Sequence, residues 1–293
     1  MQAYLNDSAV KTTLLARLDQ PEAAQQITSK TLAWNGEQGS VVGYLMHSEQ
    51  LADWQTRTGL PGWLGLAVDT VGASVAIDHD GVATPDTPAR LARALLAAVP
   101  PGSSLPGAGA RFLQALLSPG TALELAPAEH LALRQALDEV AALHGQSAAG
   151  QPAPAAAWRA ARKRCTALVD SLPDGSPDKR LGSALEAACW DALQSDTVVS
   201  DTLRHWLQAV DAHGQQAYGW TEADDAQVRS RLDGLYQAAL QTTAEENINV
   251  FELYERDFPA ESARTRGFFS ALKTARAQAL TAAVAVLTTV VSA

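Results

Sequence analysis

The helical character of this chain is clearest in residues 155–210, which read AAAWRAARKRCTALVDSLPDGSPDKRLGSALEAACWDALQSDTVVSDTLRHWLQAV. Apolar side chains recur there at the spacing of one helix face, in three successive stripes. The stripes consist of Trp158, Ala161, Cys165 and Leu168, of Leu181, Leu185, Ala188 and Cys189, and of Leu203, Trp206, Leu207 and Val210. Because a helix buries such a stripe against its neighbours, the pattern predicts three core-facing helices.

Helix signals continue on both sides of this stretch. Val10, Leu14, Leu15 and Leu18 follow the polar residues 6–8, and Leu133, Leu137 and Val140 follow Pro127. Thr221-Glu222-Ala223-Asp224 has the form of a capping box, which predicts another helix starting near Thr221. Strand signals are sparse, apart from an Asp-Gly pair that would fit a tight turn. We therefore predict an all-α fold with at most one small hairpin near residues 74–84.

Residues 145–154 are the clearest change in composition. The segment reads GQSAAGQPAP and combines small residues with two prolines, without an apolar period. We interpret it as a linker between two helical domains, residues 1–144 and residues 155–293. The second domain is expected to be an irregular helical bundle. The length of 293 residues fits two domains, since one domain commonly takes about 150 residues.

Composition indicates a globular protein and limits its partners. Hydrophobic residues form 47% of the chain and charged residues 18%, a balance that permits a buried core and excludes general disorder. The net charge of −10 repels nucleic acid, so general nucleic-acid binding is not expected. Cys165 and Cys189, the two cysteines, predict buried structural thiols in a reducing compartment. Residues 1–7 lack the pattern of a secretory signal, and the expected location is the cytoplasm.

The uncharged segment 277–293 leaves two interpretations open. Leu280, Val284, Leu287 and Val291 share one helix face, and Val286 and Val290 extend the apolar surface beyond it. The segment has 17 residues, at the short end of the roughly 17–25 that cross the hydrocarbon layer. We favour a buried terminal helix, and a membrane anchor is the alternative.

A set of spaced motifs lies in the first part of the chain. They are Ala3-Tyr4-Leu5-Asn6-Asp7, Trp34-Asn35-Gly36, Gly39-Ser40-Val41-Val42-Gly43, His47-Ser48 and Gly59-Leu60-Pro61-Gly62-Trp63-Leu64. Together with residues 88–102, these motifs resemble a family of uncharacterised bacterial and phage proteins over roughly residues 1–115. That family has no assigned activity, so the resemblance implies no particular function.

The chain departs from the family pattern at two positions. Ser40 and Tyr44 stand where the pattern has two cysteines four residues apart. Serine and tyrosine do not replace soft thiolate ligands, so a metal or redox role that depends on that pair is not expected here. What remains is structural, because three glycines within residues 36–43 permit a tight turn and Trp34 is large enough to anchor the segment.

Candidate site residues in this first part are few. His47 follows the glycine-rich segment and is the candidate general base, whereas a hydrogen-bonded or capping histidine is the plainer interpretation. Trp34 is a candidate binding residue. The chain contains no His-Glu-x-x-His motif and no Glu-x-x-His pair. We therefore predict no metal site and no cofactor.

The densest basic cluster contains Arg159, Arg162 and Lys163. Helical spacing puts these three side chains away from Trp158, on the face that an amphipathic helix exposes to solvent, and a surface for an acidic partner is the alternative. Because familiar catalytic motifs are missing, the sequence predicts a non-catalytic cytoplasmic protein that acts through a protein partner or self-association. The alternative is an enzyme or sensor that binds a small molecule in a helical pocket, with His47 and the acidic residues 245–257 as candidates.

Overall fold

The computed structural model describes residues 2–75, 87–121, 123–125, 130–242 and 248–293. Within these ranges the chain is helical and contains no β-strand, which confirms the all-α prediction. Two isolated bridges, Ile27 to Gly39 and Trp34 to Gly39, shape one loop near the N-terminus. From residue 76 onward, the hairpin predicted near residues 74–84 lies outside the described residues.

A short 3₁₀ turn at Ala3–Asn6 is followed by fourteen α-helices in the described ranges. The first seven are α1 (Ser8–Leu18), α2 (Ala23–Gln26), α3 (Val41–Met46), α4 (Leu51–Thr58), α5 (Gly62–Ala73), α6 (Pro88–Ala98) and α7 (Ala108–Leu117). The others are α8 (Leu131–Ala148), α9 (Ala155–Ser171), α10 (Pro177–Ala187), α11 (Val198–Tyr218), α12 (Glu222–Thr242), α13 (Val250–Asp257) and α14 (Pro259–Ser292).

Polar side chains cap the first turns of several helices. Asp7 accepts the amide of Ala9 at 2.8 Å before α1. The predicted capping box is present at the start of α12, where the Thr221 amide donates to Asp224 at 2.8 Å and the Asp224 amide donates back to the Thr221 hydroxyl at 3.3 Å. These bonds satisfy amides that a first turn leaves without partners, which explains why the helices begin there.

The chain folds into two compact units, and the boundaries between them do not coincide with residues 145–154. One unit comprises residues 1–209 and 277–293, and the other comprises residues 210–276. Residues 145–148 belong to α8, where Ser147 is buried, and α8 packs directly on α9. Residues 145–148 thus continue α8, and the segment 145–154 lies within the first unit.

The predicted helix faces form much of the core. The stripes of α10 and α11 are buried at all the expected positions. On α9 the fourth buried residue is Val169, whereas the expected Leu168 is half-buried. Eleven residues at about 100° each return to within about 20° of the starting direction, so Val169 aligns with Trp158 better than Leu168 does.

The end of α14 contributes one buried face to the first unit. Leu280, Val284, Leu287 and Val291 are buried as expected. The Arg111 guanidinium donates to the carbonyl of Val290 at 3.3 Å, which satisfies a free carbonyl in the last helical turn. Among the described helices, α14 is also the one long and apolar enough to cross a membrane by length and composition.

The second unit, residues 210–276, has an aromatic centre. Trp220 stacks on Phe268 with ring centroids 4.2 Å apart. The Arg264 guanidinium lies 5.0 Å from the centroid of the Trp220 ring. It also forms an ion pair with Asp224. Because Asp224 also belongs to the capping box of α12, the same carboxylate connects the start of that helix to α14.

Candidate functional site

A groove lies beside α9, at the basic cluster identified from the sequence. Trp158, Arg159 and Arg162 of α9 line it, together with residues 152, 153 and 155. The loop 188–197 between α10 and α11 contributes Cys189, Trp190, Asp191, Gln194 and Ser195. The groove has a volume of about 640 Å³. Sites for small ligands commonly measure ~300–1,000 Å³, so this groove, hereafter the basic groove, is large enough for one.

Two carboxylates hold the loop 188–197 in place. Asp191 accepts a hydrogen bond from the Ser147 hydroxyl of α8 at 2.9 Å. Asp196 accepts the amide of Trp63 at 3.1 Å and thereby caps α5, whose preceding residue Pro61 provides no side-chain cap. The loop is therefore bound to two helices of the first unit, and the groove wall that it forms has a defined position.

Cationic and aromatic side chains meet at this wall. The Arg162 guanidinium lies 4.0 Å from the ring centroid of Trp190, in cation–π geometry. Trp190 is 52% exposed although it is a large apolar side chain. Arg159 and Lys163 have no ion-pair partner among the residues that the structure describes, whereas Arg164 pairs with Glu139.

The basic cluster thus differs in part from the solvated face that was expected. Arg159 and Lys163 are exposed, but Arg162 is half-buried against Trp190. Lys163 does not line the groove. Spacing along α9 alone gave no sign of this difference, because Trp190 belongs to a loop with no helical period.

A neutral histidine supports the wall from inside. His144 is fully buried, its ring lies 4.9 Å from that of Trp158, and its Nε2 donates to the carbonyl of Ala188 at 2.9 Å. Burial lowers the pKa of His144 to about 4. The Nδ1 atom of His144 and the Nε1 atom of Trp158 are buried without a hydrogen-bond partner in the described structure. His144 therefore contributes no positive charge at neutral pH.

The two cysteines contact each other beside the groove. The sulfur atoms of Cys165 and Cys189 are 3.5 Å apart, both residues are buried, and Cys189 lines the groove. The hydrogen bond from the Cys189 thiol lowers the pKa of Cys165, whereas the same bond and burial raise the pKa of Cys189. Burial on apolar stripes was expected, but the contact was not. The signal for it was the short connection, residues 172–176, which brings the stripes of α9 and α10 together.

His47 and Trp34 form a separate pair on the first unit. His47 is exposed and ends α3 with a left-handed backbone (φ 49°). Its ring stacks on Trp34 with centroids 4.9 Å apart and planes 6° from parallel. The His47 backbone amide donates to the carbonyl of Gly43 and closes the end of α3. The geometry fits a capping and stacking histidine.

A buried carboxylate that the sequence analysis did not single out holds the glycine-rich segment. Asp69 of α5 accepts the amides of Val42 and Leu32, each at 2.7 Å, and the Ser40 side chain also bonds to it. Burial raises the pKa of Asp69 to about 6 despite these bonds. The signal in the sequence was a single acidic residue within the otherwise uncharged helix 62–73.

The glycines of this segment are required by close backbone contacts. A β-carbon at Gly39 or Gly43 would overlap the carbonyl oxygen of Ala33, and Gly36 has a positive φ of 99°. The structural role predicted for these glycines is therefore confirmed.

The acidic residues 245–257 do not form one catalytic group in the described structure. Residues 243–247 lie outside the description. Glu255 pairs with Arg266 at 2.7 Å, and Asp257 pairs with Arg256 at 2.7 Å. In the described part of the chain, no three histidine, cysteine, aspartate or glutamate side chains are grouped to hold a metal ion.

Comparison of the chain with protein-family models, with curated proteins and with solved structures finds no match. The resemblance of residues 1–115 to bacterial and phage proteins therefore stays a prediction.

Proposed function

We propose that this chain is a non-catalytic cytoplasmic binding protein, and that its basic groove receives an acidic segment of a partner protein. The observation that carries this proposal is the meeting of Arg159 and Arg162 with the exposed ring of Trp190 at one groove. Arginine pairs with carboxylates through two parallel hydrogen bonds, and tryptophan and arginine are enriched where binding energy concentrates.

The overall negative charge does not prevent such binding. The chain has a net charge of −10, but charges more than about 8 Å apart are largely screened at physiological salt. Contacts inside the groove therefore outweigh the distant field. Asp191 is the one carboxylate in the described lining, and its Oδ1 already accepts hydrogen bonds from Ser147 and from the Leu193 amide.

The test is the binding of a fluorescein-labelled peptide of four glutamates around one phenylalanine, followed by fluorescence anisotropy. We expect the Arg159→Glu/Arg162→Glu variant to raise Kd at least tenfold, because about 1.4 kcal/mol or more of charge-assisted bonding is lost. The control is Arg180→Glu/Arg229→Glu, which makes the same charge change at two exposed arginines outside the groove. Equal weakening by both variants would contradict a groove-specific site.

The volume of the groove favours a second candidate, a small-molecule sensor. A cavity of about 640 Å³ can enclose a drug-sized ligand. Native mass spectrometry of the protein purified from its host distinguishes the two. A stoichiometric small adduct that the Trp190→Ala variant lacks would favour the sensor, and a bound acidic protein would favour the first proposal.

A further inference from the structure

The two cysteine thiols are close enough to react with each other. Their sulfur atoms are 3.5 Å apart, and a disulfide bond is about 2.05 Å long, so bond formation requires an approach of about 1.5 Å. Cys165 lies within α9, whereas Cys189 follows the last residue of α10, Ala187, and its cap Ala188. Cys189 therefore lies outside the helices, two residues beyond the end of α10 and two residues before the anchored Asp191.

We propose that Cys165 and Cys189 are a redox modification site that closes reversibly to an intrachain disulfide and thereby shifts Trp190 at the wall of the basic groove. Cys189 lines the groove, which gives a small oxidant a route to the buried pair. Trp190 is the next residue in the chain and carries the stack on Arg162. A movement of Cys189 toward α9 is therefore transmitted directly to the cation–π pair.

Disulfide formation requires an oxidant that accepts two electrons, and peroxides, with hydrogen peroxide as the example, are the class that we propose. One sulfur, as thiolate, attacks a peroxide oxygen, which breaks the O–O bond and gives a sulfenic acid and hydroxide. The second sulfur then attacks the sulfenic sulfur, forms the S–S bond and displaces a second hydroxide. The two thiol protons convert both hydroxides to water, and the sulfurs together lose two electrons. A dithiol reductant reverses the change by thiol–disulfide exchange.

The hydrogen bond between the thiols favours this order of events. Cys189 donates to Cys165 and also lies 3.2 Å from the carbonyl of Leu185. A thiolate on Cys165 is thus stabilised by its neighbour, which then stands beside the sulfur that it must attack. This proposal does not depend on which ligand occupies the groove.

The site is tested by intact mass measurement of the full chain treated with hydrogen peroxide and dimedone, a trap for sulfenic acids. We expect the wild-type protein to lose about 2 Da, to retain no free thiol and to take up no dimedone. The Cys165→Ser and Cys189→Ser variants serve as matched controls, and neither is expected to lose 2 Da. Retention of both thiols under conditions that fully oxidise free cysteine, or a disulfide between two chains, would overturn the proposal.

The effect on the groove is tested separately by tryptophan fluorescence. Oxidation is expected to change the emission of the wild-type protein, and the Trp190→Phe variant is expected to lose most of that change although it still loses 2 Da. If both proteins respond equally, the disulfide forms without moving the groove wall, and that part of the proposal is wrong. The mass loss and the change in tryptophan emission do not depend on peptide binding. If the acidic peptide does not bind, the proposed function is wrong, but the redox proposal can still be tested.

Discussion

Asp69 should make the folded protein less stable as the pH rises from about 4 to 6. Its carboxyl has a pKa of about 6 in the folded chain, against 3.8 for the ordinary group. Below 3.8 the group is protonated in both states, and above 6 the folded state carries a buried charge that the unfolded state keeps in water. Each pKa unit corresponds to about 1.36 kcal/mol, so the difference of about 2 units amounts to about 3 kcal/mol.

His144 should have the opposite effect in nearly the same range. Burial lowers its pKa from 6.5 to about 4, so the unfolded chain takes up a proton that the folded chain refuses. This contribution to stability is complete above pH 6.5 and is lost as the pH falls toward 4, and it also amounts to about 3 kcal/mol. The two buried groups therefore nearly cancel in the wild-type protein, and single substitutions should reveal each of them.

The measurement is the free energy of unfolding in urea at pH 4, 5, 6 and 7 for three proteins. Asp69→Asn keeps the size of the side chain, and His144→Gln keeps a donor for the carbonyl of Ala188. Relative to wild type, Asp69→Asn should gain about 2–3 kcal/mol between pH 4 and 7, and His144→Gln should lose a similar amount over the same interval. The other carboxyl groups are the same in all three proteins, so their contributions cancel when the free energies of unfolding are subtracted. Curves that stay parallel to wild type within about 0.5 kcal/mol would refute the reasoning.

Two further stability measurements test the core and the thiol pair. Leu287→Ala removes a fully buried side chain from the end of α14 and should cost about 2–5 kcal/mol, whereas the exposed Thr289→Ala should stay within about 0.5 kcal/mol of wild type. Equal, small effects would mean that this face is not packed. Closing the Cys165–Cys189 disulfide constrains 24 residues of sequence and should raise the free energy of unfolding by about 3–4 kcal/mol. The increase should be absent in Cys189→Ser, and an oxidised protein no more stable than the reduced one would argue against a well-formed bond.

Much of the fold could be predicted because helical periodicity is a local property. The buried positions of α10, α11 and the last turns of α14 agree with the spacing of their apolar residues. The capping box at Thr221 also depends on residues three positions apart. The linker prediction was less informative, because the small residues 145–148 can continue a helix whenever its other face is packed.

The candidate site was predictable only in part. Arg159 and Arg162 were identified by charge, and Cys165 and Cys189 by their apolar stripes. Their meeting at one groove depends on how α9 packs on α10 and on how Asp191 and Asp196 hold the following loop. No spacing within one segment encodes such a contact.

The same distinction holds for the whole molecule. Residue spacing was sufficient for helix positions and core-facing sides, because each depends on neighbours within a few residues along the chain. The boundaries of the compact units, the burial of Asp69 and the approach of Cys165 to Cys189 required the folded chain. These features arise where helices distant in sequence exclude water together, and the burial that shifts a pKa or pairs two thiols exists only after that packing has formed.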